Sequence, residues 1–267
     1  MSWTVPNRYF DRYPLESIEL PPGYRADDLA DVPPAARWLA THRGEHNFIV
    51  KRDIWKKCLQ AYYASISYVD EQIGRVLDAL EAGPNRDNTI VVFTSDNGWH
   101  TGEKEHWSKF YLSELACRVV FSISVPGLKP QVSQTPVGLI DLYPTLVSLC
   151  GLPKPPTHSL DGFDLTPILH GASSERGAPV LSTYGRGCHS LRDARFRYTR
   201  YRNGAEELYD HANDPHEWTN LAGDSRFAAD QARLASALPA TNAPDVVFAS
   251  GKSMGQDANA WIDKAFK

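Results

Sequence analysis

The segment TIVVFTSDNGWHTGEKEHWSKF, residues 89–110, changes character at its sixth residue. Its first six residues form an apolar, β-branched run, which predicts a strand buried on both faces, as in a parallel sheet flanked by helices. After Ser95 come Asp96, Asn97 and Gly98. In open α/β sheets, ligands sit beyond the carboxyl ends of strands. Asp and Asn offer hard oxygen donors suited to Ca²⁺ or Mg²⁺, and a glycine lets the backbone turn away from them. Lys109 lies further along the same segment and has the chemistry to hold a sulfate or phosphate oxygen beside a divalent ion. The same four letters, SDNG, also describe an ordinary turn, because Asp, Asn and Gly favour turns. Calcium takes about six to eight oxygens, so these residues are at most part of a ligand set. The chain has no DxDxDG loop of the EF-hand kind.

Upstream, apolar residues recur in steps of three and four from Trp55 through Leu59, Tyr62, Ile66, Val69, Ile73, Val76, Leu77 and Leu80. That spacing predicts a long helix over 54–80, ended by Gly83-Pro84. Downstream, 119–125 reads as a second strand stopped by Pro126-Gly127, and 137–140 as a third. Asp141 reads as the N-cap of a helix with Pro144 in its first turn and Gly151 at its end. Residues 153–156, PKPP, read as a rigid connector. The first 34 residues carry six prolines and read as extended or turning chain.

The tail has a different rhythm. Residues 180–184, 196–201 and 206–210 read as strands, the last two flanking Asn203-Gly204, a hairpin signal. Residues 222–238 carry a helical pattern. The expectation is an α/β fold in two parts: a mixed sheet flanked by helices over 1–175, and a small antiparallel sheet with a helix over 176–267.

The balance of 28 basic and 32 acidic residues, net −4, argues against a general nucleic-acid binder. The five arginines between Arg192 and Arg202 read as a solvated sheet face. No apolar run approaches a membrane span, and the first residues show no apolar leader core, so location is unassigned. Cys58, Cys117, Cys150 and Cys188 form no CxxC pair and read as free, buried thiols.

Four segments, AYYASISYVDEQIGRVLDAL (61–80), residues 89–110, LIDLYPTLVSLCGLP (139–153) and EELYDHANDPHEWTNLA (206–222), together resemble the sulfatase family. The resemblance is to the branch containing iduronate-2-sulfatase-like and choline-sulfatase-like enzymes. It implies an alkaline-phosphatase-like fold, present here in part, and hydrolysis of sulfate esters by a formylglycine nucleophile beside a calcium ion. By the same resemblance Asp96 and Asn97 are calcium ligands and Lys109 contacts the sulfate. His100 and His106 match positions at the substrate mouth, in leaving-group or specificity roles; the competing reading makes them hydrogen-bonded loop residues. The implied substrate is a small sulfate ester or a sulfated sugar.

No C/S-x-P-x-R motif, from which formylglycine is made, occurs in the 267 residues. Asp27-Asp28 sits in a proline-rich loop, not after a strand, and does not read as the family's other acidic doublet. The expectation is therefore the C-terminal half of a sulfatase, inactive alone, whose other half lies before Met1. A complementing N-terminal half or self-association would then cover an exposed apolar face. Two other readings remain: a phosphate or phosphonate ester hydrolase of the same superfamily, and a non-catalytic binding module.

Overall fold

The computed structural model describes residues 3–153 and 159–244. The longest element is α4, Trp55–Glu81. Its first half is anchored: Leu59 is fully buried with Ile18, Ile49 and Trp107. Burying such a side chain contributes roughly 1.5–3 kcal/mol. The second half is not anchored. Ile66, Val69, Val76 and Leu77 are 44–68% exposed, although they belong to the stripe whose periodicity signals burial.

Before α4 lie α1, Asn7–Phe10; α2, Pro34–Thr41; and α3, Glu45–Lys51. The proline-rich start is thus less irregular than its composition suggests. Tyr9 closes α1 against α4, donating its hydroxyl to Glu71 at 2.7 Å and meeting Tyr68 edge-on. In α2, Pro34 occupies the first turn, where its missing N–H is harmless. Ala35, Ala36, Leu39 and Ala40 are buried. This short stripe was hidden behind Pro33-Pro34.

After α4 come β1, Val91–Thr94; β2, His100–Thr101; β3, Trp107–Ser108; α5, Glu114–Cys117; and β4, Phe121–Ser124. The expected parallel, doubly buried strand is not what forms here. Among the described residues β1 pairs with β4 alone, antiparallel, with Val91 opposite Ser124 and Thr94 opposite Phe121. Phe93 is 43% exposed.

The third expected strand is a 3₁₀ turn, Leu139–Asp141, leading into α6, Leu142–Leu149. Asp141 does not cap α6 with its side chain. Its buried carboxylate accepts from the Gly138 and Phe163 amides and pairs with Arg176 at 2.6 Å, which saturates it. The PKPP connector lies largely outside the described residues. A short α7, Thr166–Leu169, follows.

The remaining strands form one antiparallel sheet in sequence order: β5, Val180–Thr183; β6, His189–Arg192; β7, Phe196–Arg200; β8, Glu206–Asp210. The β7–β8 hairpin turns at Gly204, with φ +84. β6 was not expected, because its polar letters conceal a buried inner strand. The helix α8, Ala228–Ser236, covers this sheet through Leu234, packed with Leu191, Phe196, Tyr198 and Leu208. All four cysteines are free, and Cys150 is exposed, against expectation. Among the described residues no helix is long and apolar enough to cross a membrane.

Candidate active site

The segment that follows β1 doubles back on itself. β2 and β3 pair His100 with Ser108 and Thr101 with Trp107. One step further in that register, Lys109 falls beside the turn that leaves β1. Its ammonium donates to Asn97 Oδ1 at 2.7 Å and lies 3.5 Å from Asp96 Oδ2. Two side chains from one end of the hairpin and one from the other therefore meet at one point. Asp96 is 83% exposed and Lys109 35% exposed.

Two glycines make this approach possible. A Cβ on Gly98 would sit 2.0 Å from the Leu115 carbonyl oxygen, while the Gly98 amide donates to Ala116 O at 2.9 Å. A Cβ on Gly102, at φ +129, would sit 2.0 Å from the Trp55 ring, and the Trp55 indole donates to Thr101 O at 2.8 Å. So α5 presses on one end of the hairpin and α4 on its turn. Within that turn the Glu103 carboxylate accepts from the Thr101 amide at 2.7 Å. Lys104, Glu105 and Ser108 all have φ between +50 and +91, a backbone that costs side-chain-bearing residues of order 1 kcal/mol each.

Asp96 and Asn97 fit a hard divalent cation. Both are oxygen donors, and both oxygens already face one positive charge, the Lys109 ammonium. They supply only part of a full calcium shell. Glu114, His211 and Glu217 also bring ligand atoms together. That set does not suit a metal ion, because guanidinium groups already occupy it: Arg192 and Arg197 on Glu114, and Arg197 at 2.8 Å from Glu217. Arg197 is 3% exposed. The expectation of a fully solvated arginine face is corrected at this residue, whose neighbours are the carboxylates of half-buried Glu114 and buried Glu217.

The structure places His100 and His106 apart from the Asp96–Lys109 point. Both rings are inside the protein, at 0% and 1% exposure. His100 Nδ1 donates to Glu103 O at 3.1 Å, and Nε2 accepts from the Ser113 hydroxyl at 2.6 Å. His106 Nδ1 donates to Ala40 O at 2.8 Å. The two rings meet edge to face and pack on Tyr111. Burial, and then His106 beside it, pushes the His100 pKa well below the usual imidazole range. Burial brings His106 down to about 4. Both are neutral at pH 7 and serve the hairpin's packing. Neither reaches the Asp96–Lys109 point.

Sequence reasoning missed Lys104, Asp28, Glu114 and Glu217. Lys104 Nζ bonds Asp28 at 3.0 Å and the Glu217 carbonyl at 2.6 Å, all within the protein. Burial raises the Asp28 pKa, against the pull of Lys104. Burial also opposes ionisation of Glu217, but His211 and Arg197 prevail and hold it at about 2. The available signal was the acid in DPHEWTNLA, which lies far from the loop in sequence.

The sulfatase family model matches residues 4–152. A sulfatase of Formosa agariphila is 37% identical over 242 residues, covering 90% of this chain and 47% of its own length. A choline-sulfatase of Rhizobium meliloti is 32% identical, over 85% of this chain and 45% of its own. Among solved structures, a 2-O GAG sulfatase superposes with TM-score 0.69 at 26% identity, over 84% of this chain and 51% of that one. A phosphonate monoester hydrolase from Silicibacter pomeroyi superposes with TM-score 0.73 at 26% identity, over 94% and 57%. The chain thus spans about half the length of the curated relatives it matches. With the mixed α/β architecture and the antiparallel sheet in place, and the family match running over more than half of its residues, the chain belongs to the sulfatase family.

Proposed function

We propose that this chain carries one portion of the active centre of a calcium-dependent sulfuric ester hydrolase, with Asp96 and Asn97 as metal ligands and Lys109 as the sulfate-binding cation. The observation that carries this is the convergence of the three side chains, with Lys109 Nζ 2.7 Å from Asn97 Oδ1, beyond the end of β1. Calcium bound by Asp96, Asn97 and oxygens from outside these residues would draw charge from the sulfate oxygens. Lys109 would turn its ammonium from Asn97 to a sulfate oxygen and hold the ester in place while charge builds on it. His100 and His106 are spent on packing, so protonation of the departing alcohol falls to a group elsewhere.

The nucleophile must also come from elsewhere, since C/S-x-P-x-R is absent from the sequence. A complementing half, supplying a formylglycine and the remaining ligands, would pack on the exposed stripe of α4 from Ile66 to Leu77. The substrate class favoured is a sulfated sugar, supported by the likeness to a 2-O GAG sulfatase. Phosphonate ester hydrolysis is the second reading, supported by the superposition on the Silicibacter enzyme.

The test uses the polypeptide encoded by the complete reading frame around these residues. It is assayed on a 2-O-sulfated uronate disaccharide and on a phenyl phosphonate ester, with and without Lys109→Ala. Sulfate release that the substitution abolishes supports the first reading. Faster phosphonate cleavage moves the assignment to the second. Activity indifferent to Lys109 removes it from the centre.

A further inference from the structure

We propose that Glu217 is a positioning residue that fixes both arms of the Asp96–Lys109 loop from the C-terminal sheet's side; its relevance to catalysis rests on the function proposed above. Two separate routes lead from this one residue to the loop.

The first runs through the carboxylate. Glu217 Oε2 accepts from the Glu114 amide at 2.9 Å, at the first residue of α5. Two residues on, Ala116 O accepts from the Gly98 amide at 2.9 Å, and Leu115 O presses on the bare Cα of Gly98. A shift of α5 therefore moves Gly98, and with it the adjoining Asn97. The second route runs through the backbone. The Glu217 carbonyl accepts from Lys104 Nζ at 2.6 Å. Lys104 stands in the left-handed turn of the β2–β3 hairpin, at φ 52, and the returning strand of that hairpin leads to Lys109.

Glu217 is built for both tasks. It is 2% exposed and has φ +59, a backbone that a residue with a side chain adopts only when its surroundings require it. His211 Nε2 at 3.0 Å and Arg197 Nε at 2.8 Å lie on its other carboxylate oxygen, so the acid stays charged and oriented. Lys104 is 2% exposed, so water does not compete for its bonds. The contacts bridge 103 and 113 residues of sequence. Breaking a bond in a buried polar network strands a group away from water, so the network resists rearrangement, and here it sets the distance between Asn97 and Lys109.

The experiment compares the wild-type chain with Glu217→Ala, Glu217→Gln and Lys104→Met by amide hydrogen exchange, alongside terbium(III) titration followed by luminescence. Glu217→Ala is expected to speed exchange across residues 95–110 at least tenfold while α4 keeps its wild-type protection. Glu217→Gln retains an acceptor for the Glu114 amide and is expected to restore most of the protection. Lys104→Met, which cuts one route only, is expected to loosen 100–109 and leave Gly98 protected. Terbium affinity is expected to fall at least threefold in Glu217→Ala and to recover in Glu217→Gln. If the alanine variant does not fold, Lys104→Met decides on the same readout. Unchanged exchange at 95–110, or an equal rise throughout α4, overturns the proposal. If loop exchange responds as expected while wild type binds no terbium, the positioning role stands and the metal assignment falls.

Discussion

The Lys109 ammonium donates to Asn97 Oδ1 at 2.7 Å, on the same side as Asp96 Oδ2 at 3.5 Å. A fixed organic cation thus already stands between two oxygens assigned to a divalent one. Like charges repel at such range, so the metal and the lysine compete for Asn97 until an anion separates them.

Lys109→Met should therefore raise the chain's affinity for terbium(III) severalfold. In the complete enzyme Lys109→Ala should cut turnover by about a hundredfold or more, the scale expected when a charge-stabilising donor is lost. Thermal unfolding should barely move. An affinity that falls on removing the lysine would contradict the competition.

Gly98→Ala and Gly102→Ala should each destabilise the protein by about 2–3 kcal/mol. The added methyl meets the Leu115 carbonyl oxygen in one case and the Trp55 ring in the other, both at 2.0 Å. Gly127→Ala, with open space around it but a φ of +79, should cost less. Urea midpoints of the three variants give the ranking.

Stability should fall as pH drops below neutral. The native His106 pKa is about 4 against an ordinary 6.5. Between these values the unfolded chain takes up a proton that the native one refuses. The stability present above pH 6.5 is then lost toward pH 4, by about 3 kcal/mol for this residue. His100 is displaced in the same direction. Glu217, with its carboxyl held at about 2 against 4.5, adds a loss that begins near pH 4.5 and continues toward 2. A urea midpoint that is level from pH 7 to 5, or a slope that His106→Asn does not reduce, would count against buried neutral histidines.

The α4 stripe should make the chain self-associate. Val69 and Val76 are 51% and 68% exposed beside Ile66 and Leu77, and contiguous apolar surface of this kind mediates association. Sedimentation velocity at tens of micromolar should show oligomers, and Val69→Glu with Val76→Glu should restore the monomer. A wild-type monomer across that range would show that the stripe is tolerated in water.

Local chemistry was readable where one segment carries its own instruction. The period of α4, the Asn203-Gly204 hairpin and the polar switch after the 89–94 strand each depend on neighbours a few residues apart. Asp96, Asn97 and Lys109 offer oxygen donors and an ammonium in the letters alone, their roles were an expectation from the family resemblance, and the structure brings the three side chains together. The burial of the histidines did not follow from their letters. His100 and His106 sit among polar residues, yet the hairpin folds both rings inward on Tyr111.

The sequence by itself determined the α/β class, the long helix, the β7–β8 hairpin and the family, because these depend on periodicity, turn chemistry and motif. Only the tertiary structure decided that β1 pairs antiparallel with β4. It also decided that the loop's histidines are buried and that Glu217 bonds the loop and α5 across more than a hundred residues. The physical reason is that burial and long-range charge pairing are properties of the assembled chain. A carboxylate in DPHEWTNLA reads as solvated until Arg197 and His211 are brought to it, and its residue's carbonyl as ordinary until Lys104 reaches it.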